Sequence, residues 1–164
     1  MSKSVLLCVI LFTVVMLSTT ESYAQWEPDV RLTNDPAFSY TSYYVRCIAS
    51  SGDSVHVVWT DDRNLTTNET FYKRSTDGGS SWGSDTMLTS IGNFSGDPSI
   101  AVLDSTVHVV WVDNRDGNYE IYYKHSTDAG VTWSFDDRIT TNSALSQNPS
   151  MAVSGLFVHV VFQD

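Results

Sequence analysis

The sequence predicts an all-β protein built from a repeated, antiparallel four-stranded unit, on three observations. The pattern S-x-D-x-G-x-x-W occurs at residues 75–82 and again 51 residues later, at 126–133. A second pattern, V-H-V-V followed by an aromatic residue, begins at Val55, Val107 and Val158. Helical spacing of apolar residues is absent beyond the N-terminal segment. Motifs that recur at one period indicate a repeat architecture.

Residues 1–24 are predicted to be an export signal. Lys3 supplies the positive charge, residues 5–17 are almost continuously apolar, and Ser22-Tyr23-Ala24 is a small-x-small cleavage site. A membrane anchor is the alternative, but this run is shorter than the roughly 20 residues that span a bilayer. We therefore expect a secreted, extracellular or periplasmic protein with no membrane insertion after cleavage. Cys47 is then the one remaining thiol, which excludes an intramolecular disulfide.

The chain is strongly acidic, with 9 Lys and Arg against 19 Asp and Glu and a formal net charge of −10. Nucleic acids and anionic membranes are bound through basic patches. The composition therefore argues against either as a partner.

Each unit is expected to contain four short strands separated by turns rich in Gly, Asp, Asn and Ser. The first set is predicted near Arg46–Ser51, Ser54–Asp61, Glu69–Ser75 and Asp85–Thr89, with the same set one period later. Residues 107–111 are apolar on nearly every position, as in a sheet covered on both faces. Such a unit fits one blade of a β-propeller.

The repeats divide the chain after the signal. Residues 25–33 match the last strand of a unit and are predicted to close a blade; 46–89 and 98–140 are predicted blades, and 149–164 an incomplete one. This gives about 2.7 units, whereas propellers have roughly 4–8 blades. We expect the N-terminal part of a longer protein with a six-bladed ring. An assembly of short chains is the alternative, and it would leave the strand at 158–162 as an open edge.

The S-x-D-x-G-x-x-W stretch fits a self-fastening turn, in which Asp accepts backbone N–H bonds, Gly adopts positive φ and Trp covers the hairpin. It resembles the Asp box, or bacterial neuraminidase repeat, of sialidase-like β-propellers. The resemblance assigns structural roles to Ser75, Asp77, Gly79, Trp82, Ser126, Asp128, Gly130 and Trp133. In that family these turns lie opposite the active site, and they also occur in propellers that are not sialidases.

Residues that recur in every unit favour structure, because one axial site needs different groups from different blades. His56, His108 and His159 are accordingly predicted to be packing residues. The Asp61/Arg63 and Asp113/Arg115 pairs are predicted to hold their loops. A functional interpretation stays open, since sialidases carry a similar D-x-R whose arginine contacts the sugar.

Departures from the repeat indicate where a site is built. The first unit has five extra residues, four between Thr33 and Arg46 and one between Asp61 and Glu69. Arg46 also stands where later units have Pro98 and Pro149. Arginine beside tyrosines suits a carboxylate-bearing sugar. The predicted ligand-binding residues are Arg46, Arg63, Tyr43, Tyr44 and Asp62. The alternative is an amphipathic loop that packs on the neighbouring blade.

For catalysis, the resemblance implies Arg46, Arg63 and Glu69 as candidates. A catalytic sialidase would have an F-R-I-P type motif near Arg46 and an acid/base Asp between the D-x-R and the third strand. The proline is missing here, and residues 64–68 contain no Asp. The other two arginines and the Tyr nucleophile with its Glu would lie outside this chain.

We therefore expect an exported module that binds a sialoglycan or another extracellular partner and lacks a complete active site. The alternatives are the N-terminal part of an exo-α-sialidase and a structural cell-surface propeller. No cofactor or metal is predicted. A calcium loop at 113–120 is a further hypothesis, although Arg115 occupies a position that needs an oxygen ligand.

Overall fold

The computed structural model describes residues 28–42, 45–64, 66–90 and 92–164. Residues 31–164 form one compact unit, and residues 28–30, which are counted outside it, are exposed coil. The predicted export signal and two candidate ligand-binding residues, Tyr43 and Tyr44, lie outside the described residues. None of the described part forms a helix of the length and apolarity needed to cross a membrane.

Three antiparallel sheets follow one another along the described residues. The first contains β1 (Ser39–Tyr40), β2 (Ile48–Ser51), β3 (Ser54–Asp61), β4 (Glu69–Ser75) and β5 (Thr86–Met87). The second contains β6 (Ser95–Leu103), β7 (Thr106–Asp113), β8 (Glu120–Ser126) and β9 (Asp137–Arg138), and the third β10 (Gln147–Ser154) and β11 (Phe157–Gln163). No helix occurs in these ranges, so the predicted all-β, antiparallel fold class is confirmed. We call the sheets blades 1, 2 and 3.

The predicted strands 54–61 and 69–75 match β3 and β4, but the other two predicted strands of blade 1 are shorter than predicted. β2 begins at Ile48 rather than Arg46, β5 covers two residues instead of 85–89, and residues 28–33 are not in a strand. β5 is short because side chains replace part of its ladder. The Thr70 N–H donates to Thr89 Oγ1 at 3.1 Å, and the carboxylate of Asp85 binds cations rather than extending the sheet.

Apolar side chains on both faces of blade 2 form the core. Val107, Val109 and Trp111 pack towards blade 1, in one cluster with Val58 and Tyr72. Val110, Val112 and Ile121 pack with Met151 of blade 3 in a second cluster. β7 is therefore covered on both sides, as its continuous apolar sequence predicts.

The first strands of consecutive blades lie side by side. The Ile100 N–H donates to the Arg46 carbonyl at 2.9 Å, and the Met151 N–H donates to Ser99 Oγ at 3.3 Å. At one end of the blades, the Gly78 N–H donates to the Asp53 carbonyl and joins the S-x-D-x-G-x-x-W turn to the β2–β3 turn. We call this the turn end. The β3–β4 and β7–β8 loops and the links between blades lie at the other end, which we call the loop end.

Candidate functional site

The S-x-D-x-G-x-x-W turns fasten themselves through their own side chains. Ser75 Oγ donates to Asp77 Oδ1 at 2.7 Å and accepts from the Gly79 N–H at 2.8 Å. Asp77 also accepts the Ser81 N–H and hydroxyl, which with Ser75 lower the pKa of Asp77 to about 2. Gly79 has φ 94° and Gly130 φ 83°, the left-handed conformation expected of glycine here. The second copy repeats these bonds through Ser126, Asp128 and Thr132.

The two tryptophans of these turns have different surroundings. Trp133 packs against the core of blades 1 and 2, with its ring edge-on to Tyr72 at 5.0 Å between centroids. Trp82 instead lines a surface cleft with Arg74 and Gly83. A side chain on Gly130 would overlap the Tyr72 hydroxyl, so the second turn is pressed directly against blade 1. Trp133 therefore has the predicted role of an apolar cover to a greater degree than Trp82.

Arg63 is held by carboxylates of its own blade. Its Nη2 lies 2.7 Å from Asp61 Oδ2, its Nη1 lies 2.7 Å from Asp85 Oδ2, and its guanidinium stacks on Phe71 at 4.3 Å. Asp61 is fully buried, and burial alone would raise its pKa. Hydrogen bonds from Arg63, Trp59 and Ser39 outweigh burial and hold the pKa of Asp61 well below its usual range. The geometry of Arg63 favours loop support over ligand contact.

Blade 2 repeats this arrangement and adds a link to its neighbour. Arg115 bridges Asp113 and Asp136, which also binds Lys124. The Lys124 ammonium donates to the Leu88 carbonyl of blade 1 at 2.6 Å. Lys73 makes the same contact to the Leu32 carbonyl, also at 2.6 Å. The recurrent basic residues thus join each blade to the segment that precedes it.

The buried carboxyl of Glu69 is enclosed by hydroxyl groups. Thr67 donates to its Oε1 at 2.9 Å and Thr89 to its Oε2 at 2.6 Å. Burial raises the pKa of Glu69 in spite of these bonds. The equivalent Glu120 also pairs with Arg138 at 2.7 Å, and these bonds lower its pKa against the opposing effect of burial. Glu69 has no exposed surface from which to protonate a ligand.

Two other predicted positions have bonds within the protein. Asp62 Oδ1 accepts the Phe38 N–H at 2.7 Å, which fixes the start of β1. In the proposed calcium loop, Asp113 accepts from Arg115, and Asp116 accepts from Arg138 and Tyr122. Within the described ranges, no group of three or more His, Cys, Asp or Glu side chains is placed to hold a metal ion.

The recurrent histidines pack against tyrosines where a third strand is present. His56 Nδ1 lies 2.7 Å from Tyr72 Oη, and His108 Nδ1 lies 2.8 Å from Tyr123 Oη. His159, on β11, is exposed. Burial, aided by the nearby Arg74 charge, lowers the pKa of His56 to about 4. His56 is therefore a neutral packing residue at pH 7.

This shift predicts a pH dependence of stability. Above about pH 6.5 His56 is neutral in both folded and unfolded chains, and below it only the unfolded chain gains the proton. His56 should therefore lower the free energy of unfolding by about 3 kcal/mol as pH falls from 6.5 to 4. In His56→Gln, the free energy of unfolding measured with urea should therefore fall by about 3 kcal/mol less than in wild type over this pH range. The exposed His159→Gln is the control and should keep the wild-type slope; an unchanged slope in His56→Gln would contradict the assignment.

Arg46 differs from the arginines described above. It is exposed two residues before β2 and makes no side-chain hydrogen bond or ion pair with another described residue. It borders a groove of about 350 Å³ with Ile48, Ala101 and Ala152 of the three first strands. Arg46 is thus exposed beside a groove lined by the first strands of all three blades.

The four extra residues of the first unit lie within its innermost strand. Seven residues, 41–47, separate Tyr40 from Ile48, whereas three, 97–99, separate the equivalent Gly96 from Ile100. Blades 2 and 3 pass this point with a β-bulge and an unbroken strand. In blade 1 the strand is interrupted between β1 and β2, and the interruption carries Arg46.

A scan against protein-family models finds no match, and a search of curated proteins finds none either. Among solved structures, the chain is similar to the Hadza microbial sialidase Hz136, with a TM-score of 0.52 and 18% sequence identity. The fold is sialidase-like. The match covers 65% of this chain and 29% of Hz136, so the chain spans less than a third of that structure. At this identity the likeness concerns the fold alone.

Proposed function

We propose that the chain is a sialidase-like propeller module, exported through residues 1–24, that binds a glycan carrying an acidic sugar. One observation carries the proposal. Arg46 is exposed beside the groove lined by β2, β6 and β10, and its side chain has no partner among the described residues. A guanidinium offers paired N–H donors that match a carboxylate. It stands in a strand interruption that blades 2 and 3 lack.

The contacts of the other two catalytic candidates, Arg63 and Glu69, favour binding without catalysis. Arg63 donates to Asp61 and Asp85, and Glu69 is fully buried with both oxygens hydrogen-bonded. Neither is placed to contact a sugar. Tyr43 and Tyr44 stay candidate contacts beside Arg46. The second candidate function is part of an exo-α-sialidase, which the fold likeness to Hz136 favours. In that case catalytic groups outside residues 1–164 would complete the site.

Replacing Arg46 tests the proposal directly. Arg46→Lys keeps the charge but removes the planar fork, so affinity for sialyllactose should fall by about 1.5–3 kcal/mol, roughly 10- to 150-fold. Isothermal titration calorimetry measures the loss. The matched control is Arg31→Lys, because Arg31 is exposed but does not line the groove. Thermal unfolding of both variants should match wild type.

Equal affinity of wild type and Arg46→Lys would remove Arg46 from the site. Absence of sialyllactose binding by wild type would reject acidic sugar as the ligand. Release of free sialic acid by the protein would instead favour the exo-α-sialidase.

A further inference from the structure

The loop end contains a second recess, separate from the Arg46 groove. It lies between the β3–β4 loop of blade 1 and the link that leads into blade 2. It has a volume of about 410 Å³, within the roughly 300–1,000 Å³ of small-molecule sites. The walls are formed by Thr66, Thr67, Asn68, Asn93, Phe94 and Asn114, with Gly92. We call this recess the amide cleft.

We call the contact between such a loop and the link that follows its blade a junction. The next junction, between the β7–β8 loop and the link into blade 3, is tied by a side chain. The Ser95 N–H donates to the Asn68 carbonyl at 2.9 Å, and the Ser146 N–H donates to the Tyr119 carbonyl at 2.8 Å. These bonds align the two junctions residue by residue, so that Thr67 corresponds to Asn118. The Asn118 amide donates to the Ala144 carbonyl at 3.0 Å and ties its loop to the following link.

Thr67 makes a longer tie instead. Its hydroxyl donates to Glu69 at 2.9 Å and accepts the Gly92 N–H of the link at 3.4 Å. The β3–β4 loop is also one residue longer than the β7–β8 loop, with seven residues, 62–68, against six, 114–119. The loop and the link are consequently held together less closely here than at the next junction.

The side chains that line the opening also depart from the repeat. Asn93 and Phe94 stand where the next junction has Ala144 and Leu145. Ala144 and Leu145 are exposed, whereas Phe94 is partly buried against the second core cluster. An amide and an aromatic ring at the same positions supply a hydrogen-bonding group and a flat apolar face. Tyr119 packs edge-on against Phe94 at 5.4 Å between centroids, which holds that ring in place.

The chemistry of the cleft selects an uncharged polar ligand. No lining residue is ionisable, in a chain with a net charge of −10. Neither an anion nor a cation would find a partner there. Amides, hydroxyls and a flat ring together are suited to a pyranose, whose hydroxyls hydrogen-bond and whose C–H face packs on an aromatic ring.

We propose that the amide cleft binds a neutral hexose unit. The inference deepens the proposed glycan-binding function and rests on it for the class of ligand. Asn68 lines the cleft, and its side-chain amide donates to Tyr40 Oη at 2.9 Å, in the strand that precedes the interruption carrying Arg46. An acidic sugar at Arg46 and a neutral sugar in the amide cleft would belong to one glycan.

Lactose, a neutral disaccharide, is the probe. Asn93→Ala/Phe94→Leu installs the pair found at the equivalent position between blades 2 and 3. Because Phe94 packs against Tyr119 and the second core cluster, binding is measured well below the thermal unfolding midpoint of the double variant, and Asn93→Ala alone, which keeps that packing, is measured beside it. Calorimetry or saturation-transfer NMR should show lactose binding to wild type and about a tenfold or larger loss in the double variant. Arg31→Lys is the matched control and should bind lactose as wild type does, because Arg31 is exposed and does not line the cleft.

Thr67→Asn gives an independent test by introducing the side chain that ties the next junction, and it should also abolish lactose binding. Equal lactose affinity in wild type and in either cleft variant overturns the proposal, as does no lactose binding by wild type. Failure of the Arg46 proposal is distinguishable. In that case Arg46→Lys would leave sialyllactose affinity unchanged while the cleft variants still weakened lactose.

Discussion

Asp113→Ala is expected to lower the free energy of unfolding by about 3–5 kcal/mol, the usual effect of removing one partner of a buried ion pair. Asp113 is fully buried and accepts from the Arg115 guanidinium, the Trp111 indole N–H at 3.0 Å and the Ser95 hydroxyl at 2.8 Å. Alanine would leave the indole N–H without an acceptor and Arg115 with half of its charge pairing. Urea unfolding at pH 7 measures the effect.

The control is Asp137→Ala, because Asp137 is exposed on β9. Its change should stay within about 0.5 kcal/mol. A loss below about 1 kcal/mol in Asp113→Ala would show that the buried carboxylate does not organise this end of the blade.

Trp133→Ala is expected to cost about 3 kcal/mol, the lower part of the range for deleting a large buried aromatic side chain. The indole fills the space between blades 1 and 2 and contacts Tyr72 edge-on. Trp82→Ala is the matched comparison, since it occupies the same position of the first turn but lines a surface cleft. Its cost should be about 1 kcal/mol. Equal losses, measured by thermal or urea unfolding, would contradict the difference in packing.

The central strands were predictable because their signal is local. β3 and β4 have the predicted bounds, since alternating and apolar positions, turn residues and the repeat all specify the same limits. The outer strand was predicted too long. Its ends are held by the side chains of Asp85 and Thr89, which strand patterns do not represent.

The site was predictable only in part. Arg46 stood out as a departure from the repeat, and the structure leaves it exposed beside the groove of the first strands. Arg63 pairs with two carboxylates, Asp61 and Asp85. The D-x-R pattern predicted only the first, because Asp85 lies 22 residues further along the chain. The amide cleft was missed. Its signal, Asn93-Phe94 against Ala144-Leu145, becomes visible only when backbone hydrogen bonds align the two junctions.

A crystal structure of the protein with bound sialyllactose tests the proposed function most directly. The account predicts the sialic acid carboxylate about 3 Å from the Arg46 guanidinium, at the groove formed by the first strands. A carboxylate bound at another surface, or a crystal soaked in the glycan with no density at Arg46, would contradict it.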